Sequence, residues 1–93
     1  MISVELLLAQ LPGLPRQDLE RWISNAWVRP DGRPGAYAFH EIDVARVRLI
    51  QELRDELEIN ELALPVVLLL LDQLYDLRRR LRALRERDGP TAS

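Results

Sequence analysis

The chain has 93 residues, 47% of them hydrophobic and 30% charged, with a formal net charge of −2 and no cysteine. That length supports one compact domain and little more, the composition is that of a folded globular protein, and the missing cysteines exclude disulfides and thiolate zinc sites. Residues 1–60 hold seven arginines against ten acids (−3) and residues 61–93 six against five (+1), with no lysine anywhere, so the acidic body argues against a phosphate backbone as its natural partner.

In chain order, Ser3 can cap a first helix whose inward side carries Leu6, Leu7, Leu8 and Leu11. Pro12-Gly13 stops it in a turn. Pro15 fits the first position of a second helix, where its missing N–H costs nothing. Leu19, Trp22, Ile23 and Ala26 recur along that helix at helical spacing, so it is expected to reach about Ala26. Two short helices joined through Leu-Pro-Gly-Leu make a helix-turn-helix pair.

The next stretch changes character. Trp27-Val28-Arg29 before Pro30 can be extended, Asp31-Gly32-Arg33-Pro34-Gly35 is a turn by composition, and Ala36-Tyr37-Ala38-Phe39 alternates as a short strand does. Residues 27–39 are therefore expected to form a small β-hairpin, or wing. Trp22, Trp27, Tyr37 and Phe39 are read first as core, with Tyr37 the best candidate for exposure. A third helix is expected from about His40 to Glu58, with Ile42, Ala45 or Arg46, Leu49, Ile50, Leu53 and Leu57 inward and Asp43, Arg48, Glu52, Asp55 and Glu56 outward.

Asn60 is a good cap for a fourth helix, although Pro65 at its fifth position either bends it or moves its start later. Along it, Val67, Leu70, Leu74, Leu77, Leu81 and Leu84 alternate spacings of three and four, the pattern of a heptad seam. Leu64, Leu68 and Leu71 thicken the apolar face in the first half, as expected where the helix leans on its own domain. Beyond Tyr75 the seam is thin and flanked by arginines between 78 and 87, with Asp76 and Arg80 at favourable four-residue spacing. Leucines such as Leu77, Leu81 and Leu84 left in water forgo roughly 1.5–3 kcal/mol each. Leu74, Leu77, Leu81 and Leu84 are the candidate dimerisation residues, against the alternative of a clasp onto the first helix. Gly89-Pro90 is expected to end the helix, leaving Thr91-Ala92-Ser93 as a tail. The expected organisation is thus residues 1–60 as a winged helix-turn-helix domain, 61–88 as a heptad helix packing on it and dimerising, and 89–93 as a tail.

The inventory for catalysis is short. His40 is the single histidine and suits a helix terminus better than a base; Ser3, Ser24, Thr91 and Ser93 are the aliphatic hydroxyls, none in a nucleophile-type context. No glycine-rich phosphate loop occurs. No enzymatic activity, cofactor or metal is expected. Met1-Ile2-Ser3-Val4-Glu5 lacks the basic start of a signal peptide. The longest apolar run, Leu62 to Leu71, is ten residues against roughly twenty needed to span a bilayer. A cytoplasmic protein away from membranes is expected. A helix-turn-helix protein that binds DNA presents basic and amide groups from its second helix. Here that helix offers Arg16, Gln17, Arg21 and Asn25 but also Asp18 and Glu20, which meet phosphate with the wrong sign.

The succession of helix, turn, helix, Val28-Arg29-Pro30, wing, Phe39-His40-Glu41-Ile42, long helix and heptad helix resembles the MerR-type winged helix fold with a C-terminal dimerisation helix. Within that group the sequence is similar to the chaperone-modulator CbpM family. The similarity is carried by Ala36-Tyr37-Ala38-Phe39, Ile42-Asp43-Val44-Ala45-Arg46-Val47, Ile50-Gln51-Glu52-Leu53-Arg54-Asp55-Glu56-Leu57 and Leu70-Leu71-Asp72-Gln73-Leu74-Tyr75-Asp76-Leu77-Arg78, and covers about residues 3–86. It implies a mainly α fold and a protein that binds the J-domain of a DnaJ-like co-chaperone of the CbpA type, blocking the surface its chaperone partner DnaK needs. J-domains of this type use a basic helix there, so the resemblance implies an acidic binding face. Glu52, Asp55, Glu56, Asp72 and Asp76 are its candidates, with the acids of the second helix as fallback. The alternatives are a MerR-like dimeric transcription regulator that binds DNA and a bare coiled-coil adaptor.

Overall fold

The computed structural model describes residues 1–88; the expected helix stop at Gly89-Pro90 and the tail lie outside the described residues. Four helices are present among the described residues: α1 (Val4–Gln10), α2 (Arg16–Ser24), α3 (Glu41–Asp55) and α4 (Leu64–Asp88). The chain divides into two compact units, one of residues Met1–Glu61 and a second that begins at Leu62.

In the first unit, α1 begins where Ser3, in extended backbone, accepts the Leu6 N–H on Oγ at 3.3 Å. Leu7 and Leu11 are buried, Leu8 is half-buried and Leu6 faces outward. Leucines at consecutive positions point about 100° apart, so only the pair spaced by four stays on the inner stripe. The chain turns through Gly13, whose positive φ of 89° suits a residue without Cβ. Pro15 sits one position earlier than expected, as the N-cap of α2, and its carbonyl accepts from Asp18 and Leu19.

α2 buries Leu19 and Trp22 and ends two residues before Ala26. Ala26 takes a left-handed φ of 61°, its N–H reaches the Ile23 carbonyl, and the Trp27 N–H reaches back to Trp22 at 2.9 Å. This is a Schellman stop built without glycine. The apolar spacing of Ala26 is thus accidental, because the residue already belongs to the turn.

No sheet occurs among the described residues, and the expected hairpin wing is not formed. Residues 27–39 make a loop closed by two isolated antiparallel bridges, Asp31 with Ala38 and Ile2 with Phe39, each with reciprocal backbone hydrogen bonds of 2.8–3.0 Å. The pairing does not propagate, for reasons visible in the sequence. Pro30 and Pro34 lack ladder donors, and Gly32 and Gly35 take φ of 93° and 90° between the two arms. A Cβ on Gly32 would lie 2.4 Å from the Ala36 carbonyl oxygen, so this turn admits no other residue without movement. Buried Val28 and Phe39 tether the loop to the core, and Tyr37 sits edge-on to Phe39 at 6.3 Å. Trp27 and Tyr37 are half-buried.

α3 starts at a capping box: the Asp43 carboxylate accepts the His40 N–H at 2.8 Å. That cap turns Asp43 inward, where it is buried with Val47, Ile50 and Leu53, and leaves Ile42 77% exposed. The expected stripe is therefore rotated at its start and cut short at its end. The helix stops at Asp55, Glu58 takes a left-handed φ of 54°, and Leu57 is exposed.

In the second unit, α4 starts at Leu64 and not at Asn60, with Pro65 in its first turn, where a missing N–H costs nothing. The Ala63 carbonyl accepts from Val66 and Val67, both at 3.1 Å. Its 25 residues reach about 37 Å at 1.5 Å per residue. Leu64 and Leu68 are buried, while Leu70, Leu74, Leu77, Leu81 and Leu84 are exposed.

Candidate functional site

Two surfaces and one ion-pair network carry the charged and apolar features of interest. The network lies in the first unit and joins α2 to α3. Arg54 of α3 donates to both Asp18 of α2 and its neighbour Asp55, and its guanidinium lies 5.2 Å from the centre of the buried Trp22 ring. Arg21 donates to Asp18 at 2.9 Å and, through Nε and Nη2, to both oxygens of Glu61. Burial pushes the Asp18 carboxyl up, but its bonds from Arg54 and Arg21 outweigh that and hold it below its ordinary range. Arg21 does the same for Glu61 against partial burial. The Trp22 Nε1–H itself is buried with no partner at hydrogen-bonding geometry.

These contacts engage three acids, Asp18, Asp55 and Glu61. Asp18 is held by two arginines. Asp55, one of the predicted binding residues, is held by Arg54 at 2.7 and 3.2 Å, and that pairing lowers its pKa. Glu52 and Glu56 are exposed, and with Asp55 they border a shallow depression beside Leu11 and Pro12. Asp72 and Asp76 belong to α4 in the second unit, where Asp76 accepts from Arg79 and Arg80 at 3.5 and 2.9 Å. The sequence reading grouped all five. The structure brings together Glu52, Asp55 and Glu56 at the C-terminal end of α3, with Glu56 as the C-cap, and places Asp72 and Asp76 in a separate unit.

The second surface is the exposed face of α4. Leu70, Leu74, Leu77, Leu81 and Leu84 keep 40–59% of their surface in water, and Val66 and Leu69 are exposed at the same end as Leu70. The apolar strip is therefore longer than the distal half singled out from the spacing. Arg78, Leu81, Arg82 and Arg85 line a shallow depression near its end.

The first unit also holds a feature that sequence reasoning missed, an open groove of about 490 Å³ between the start of α1, the outer side of α2 and the loop at 34–37. Only the turn composition of residues 31–35 hinted that a loop would stand beside α2. No group of three or more His, Asp or Glu side chains placed to hold a metal ion occurs among the described residues. No helix among them is long and apolar enough to cross a membrane.

A short helix, a tight turn through Gly13 and a second short helix, followed by a bridged loop and a longer helix, define a helix-turn-helix protein. The chain matches the sequence model of the MerR HTH family regulatory proteins over residues 8–86 and belongs to that family. Comparison with curated proteins and with solved structures returned no match.

Proposed function

We propose that this protein is a non-catalytic chaperone modulator that binds the J-domain of a DnaJ-like co-chaperone and hinders its cooperation with DnaK. The reading joins the similarity to the CbpM family with one observation about α2, the helix that would enter a DNA groove in a helix-turn-helix protein. Both arginines of that helix are neutralised: Arg16 faces Glu5 at 3.6 Å, and Arg21 is spent on Asp18 and Glu61. Glu20 is exposed and has no ion-pair partner among the described residues. Such a face repels a phosphate backbone and suits a basic protein surface. Glu52, Asp55 and Glu56 extend the acidic character of this unit and are candidates for steering the J-domain in. Asp72 and Asp76 are the α4 candidates.

Self-association through α4 completes the proposal. The exposed strip from Leu70 to Leu84, with heptad spacing, is what a second helix covers in a coiled coil. Leu74, Leu77, Leu81 and Leu84 are its distal half.

The second reading is a dimeric DNA-binding transcription regulator, favoured by the family match over residues 8–86. Binding of purified J-domain and of duplex DNA, measured side by side at physiological salt, separates the two. A modulator holds the J-domain and no specific duplex, and the reverse result overturns the proposal.

A further inference from the structure

The groove beside α2 has a volume of about 490 Å³, and its chemistry is mixed in a directional way. Its floor is apolar: buried Leu19 and half-buried Ile23 from α2, with half-buried Tyr37 from the loop. Its rim is acidic. Glu5 and Glu20 stand on it, and the single rim cation, Arg16, is already faced by Glu5 at 3.6 Å. An apolar floor beside uncompensated carboxylate fits a side chain that is apolar at its body and flanked by a positive charge. A phosphate-bearing ligand meets the same rim with the wrong sign.

We infer that this groove seats an apolar side chain of a basic amphipathic helix, and, resting on the function proposed above, that the helix belongs to the J-domain. The α3 acids offer no comparable anchor. The depression they border is smaller, about 270 Å³, and Asp55 there is already engaged by Arg54. Interface energy concentrates in pockets that exclude water, while exposed rim charges act mainly on the rate of encounter. The groove therefore supplies affinity and the acids on α3 supply steering.

The test is a calorimetric titration of the full chain with purified J-domain at physiological salt. Two groove variants are used, Glu20→Lys, which reverses an exposed rim charge, and Ser24→Tyr, which fills the groove from an exposed position at the end of α2. Circular dichroism and the urea midpoint establish that each is folded, and the exposed Glu20→Lys change keeps the test open if Ser24→Tyr is not. The wild type is expected to bind and both variants to bind about tenfold more weakly or worse. A wild type that binds, with both folded variants matching it, overturns the groove while leaving the proposed function standing. No binding by the wild type removes both. A complex with duplex DNA that depends on the groove also overturns the inference.

Discussion

Arg21 grips Glu61 through two parallel hydrogen bonds, Nε to Oε2 at 3.0 Å and Nη2 to Oε1 at 2.6 Å. They lie forty residues apart in sequence, so the bond ties α2 to the last residue of the first unit. The fork geometry fixes orientation as well as distance. Arg21 also holds Asp18, which Arg54 holds from the other side, so one chain of charge runs from Glu61 through α2 to α3.

This chain sets a direction for acid sensitivity. Asp18 and Glu61 both titrate below their ordinary range in the folded protein. Their stabilisation is complete above the unfolded values, about 4, and is lost as pH falls through the lowered folded values. The double variant Asp18→Asn, Glu61→Gln is expected to be less stable than wild type at neutral pH and to converge on it as the pH drops from about 5 toward 3. Urea midpoints across that range check it, and parallel curves contradict it.

Arg54 does three things at once: it pairs with Asp18, pairs with Asp55 and covers the Trp22 ring. Replacing it by methionine keeps much of the packing and removes all the charge contacts. The Asp18 side of the network is largely shielded, with 21% and 19% of the two side chains exposed. The expected cost is about 1–2 kcal/mol, read from urea unfolding with intrinsic Trp fluorescence. A loss no larger than that of an Arg48→Met control contradicts the role assigned to Arg54.

The rotated register of α3 makes a sharp comparison. Ile50 is fully buried and Ile42 is 77% exposed, although both belong to the apolar stripe read from the sequence. Ile50→Ala is expected to cost about 2–5 kcal/mol, and Ile42→Ala less than about 0.5 kcal/mol. Comparable losses would place Ile42 in the core and contradict the capping box that turns Asp43 inward.

Much of the fold is legible in the sequence because its signals are local. Ser3 caps α1, Pro12-Gly13 makes the turn, and His40 begins α3. What escapes depends on competition between local signals. A stripe of apolar residues gives a period but not which of its members is innermost, and at Asp43 a cap bond decides that against hydrophobicity. The alternation at 36–39 resembles a strand, yet prolines and left-handed glycines limit it to single bridges. The individual acids were readable as charges, but the engagement of Asp18 by Arg54 and of Glu61 by Arg21 was not, since it joins residues 36 and 40 apart. The groove beside α2 was equally hidden, because it exists only once the loop at 34–37 stands next to Ile23.

The α4 strip predicts a dimer that charge should break. Leu77→Lys with Leu81→Lys places two cations in an exposed heptad seam and is expected to shift the full chain to monomer in sedimentation while its helix content stays close to wild type. A wild type that sediments as a monomer, or a variant that stays dimeric, contradicts the seam.

The proposed function requires the protein to occupy the J-domain surface that DnaK needs. Competition tests it most directly: labelled J-domain is bound to DnaK, and increasing amounts of the full chain are added while free and bound label are followed. Release of the J-domain from DnaK is expected as the chain is added, with no assembly containing all three proteins. An unchanged J-domain–DnaK complex, or one that takes up the chain as a third member, contradicts it.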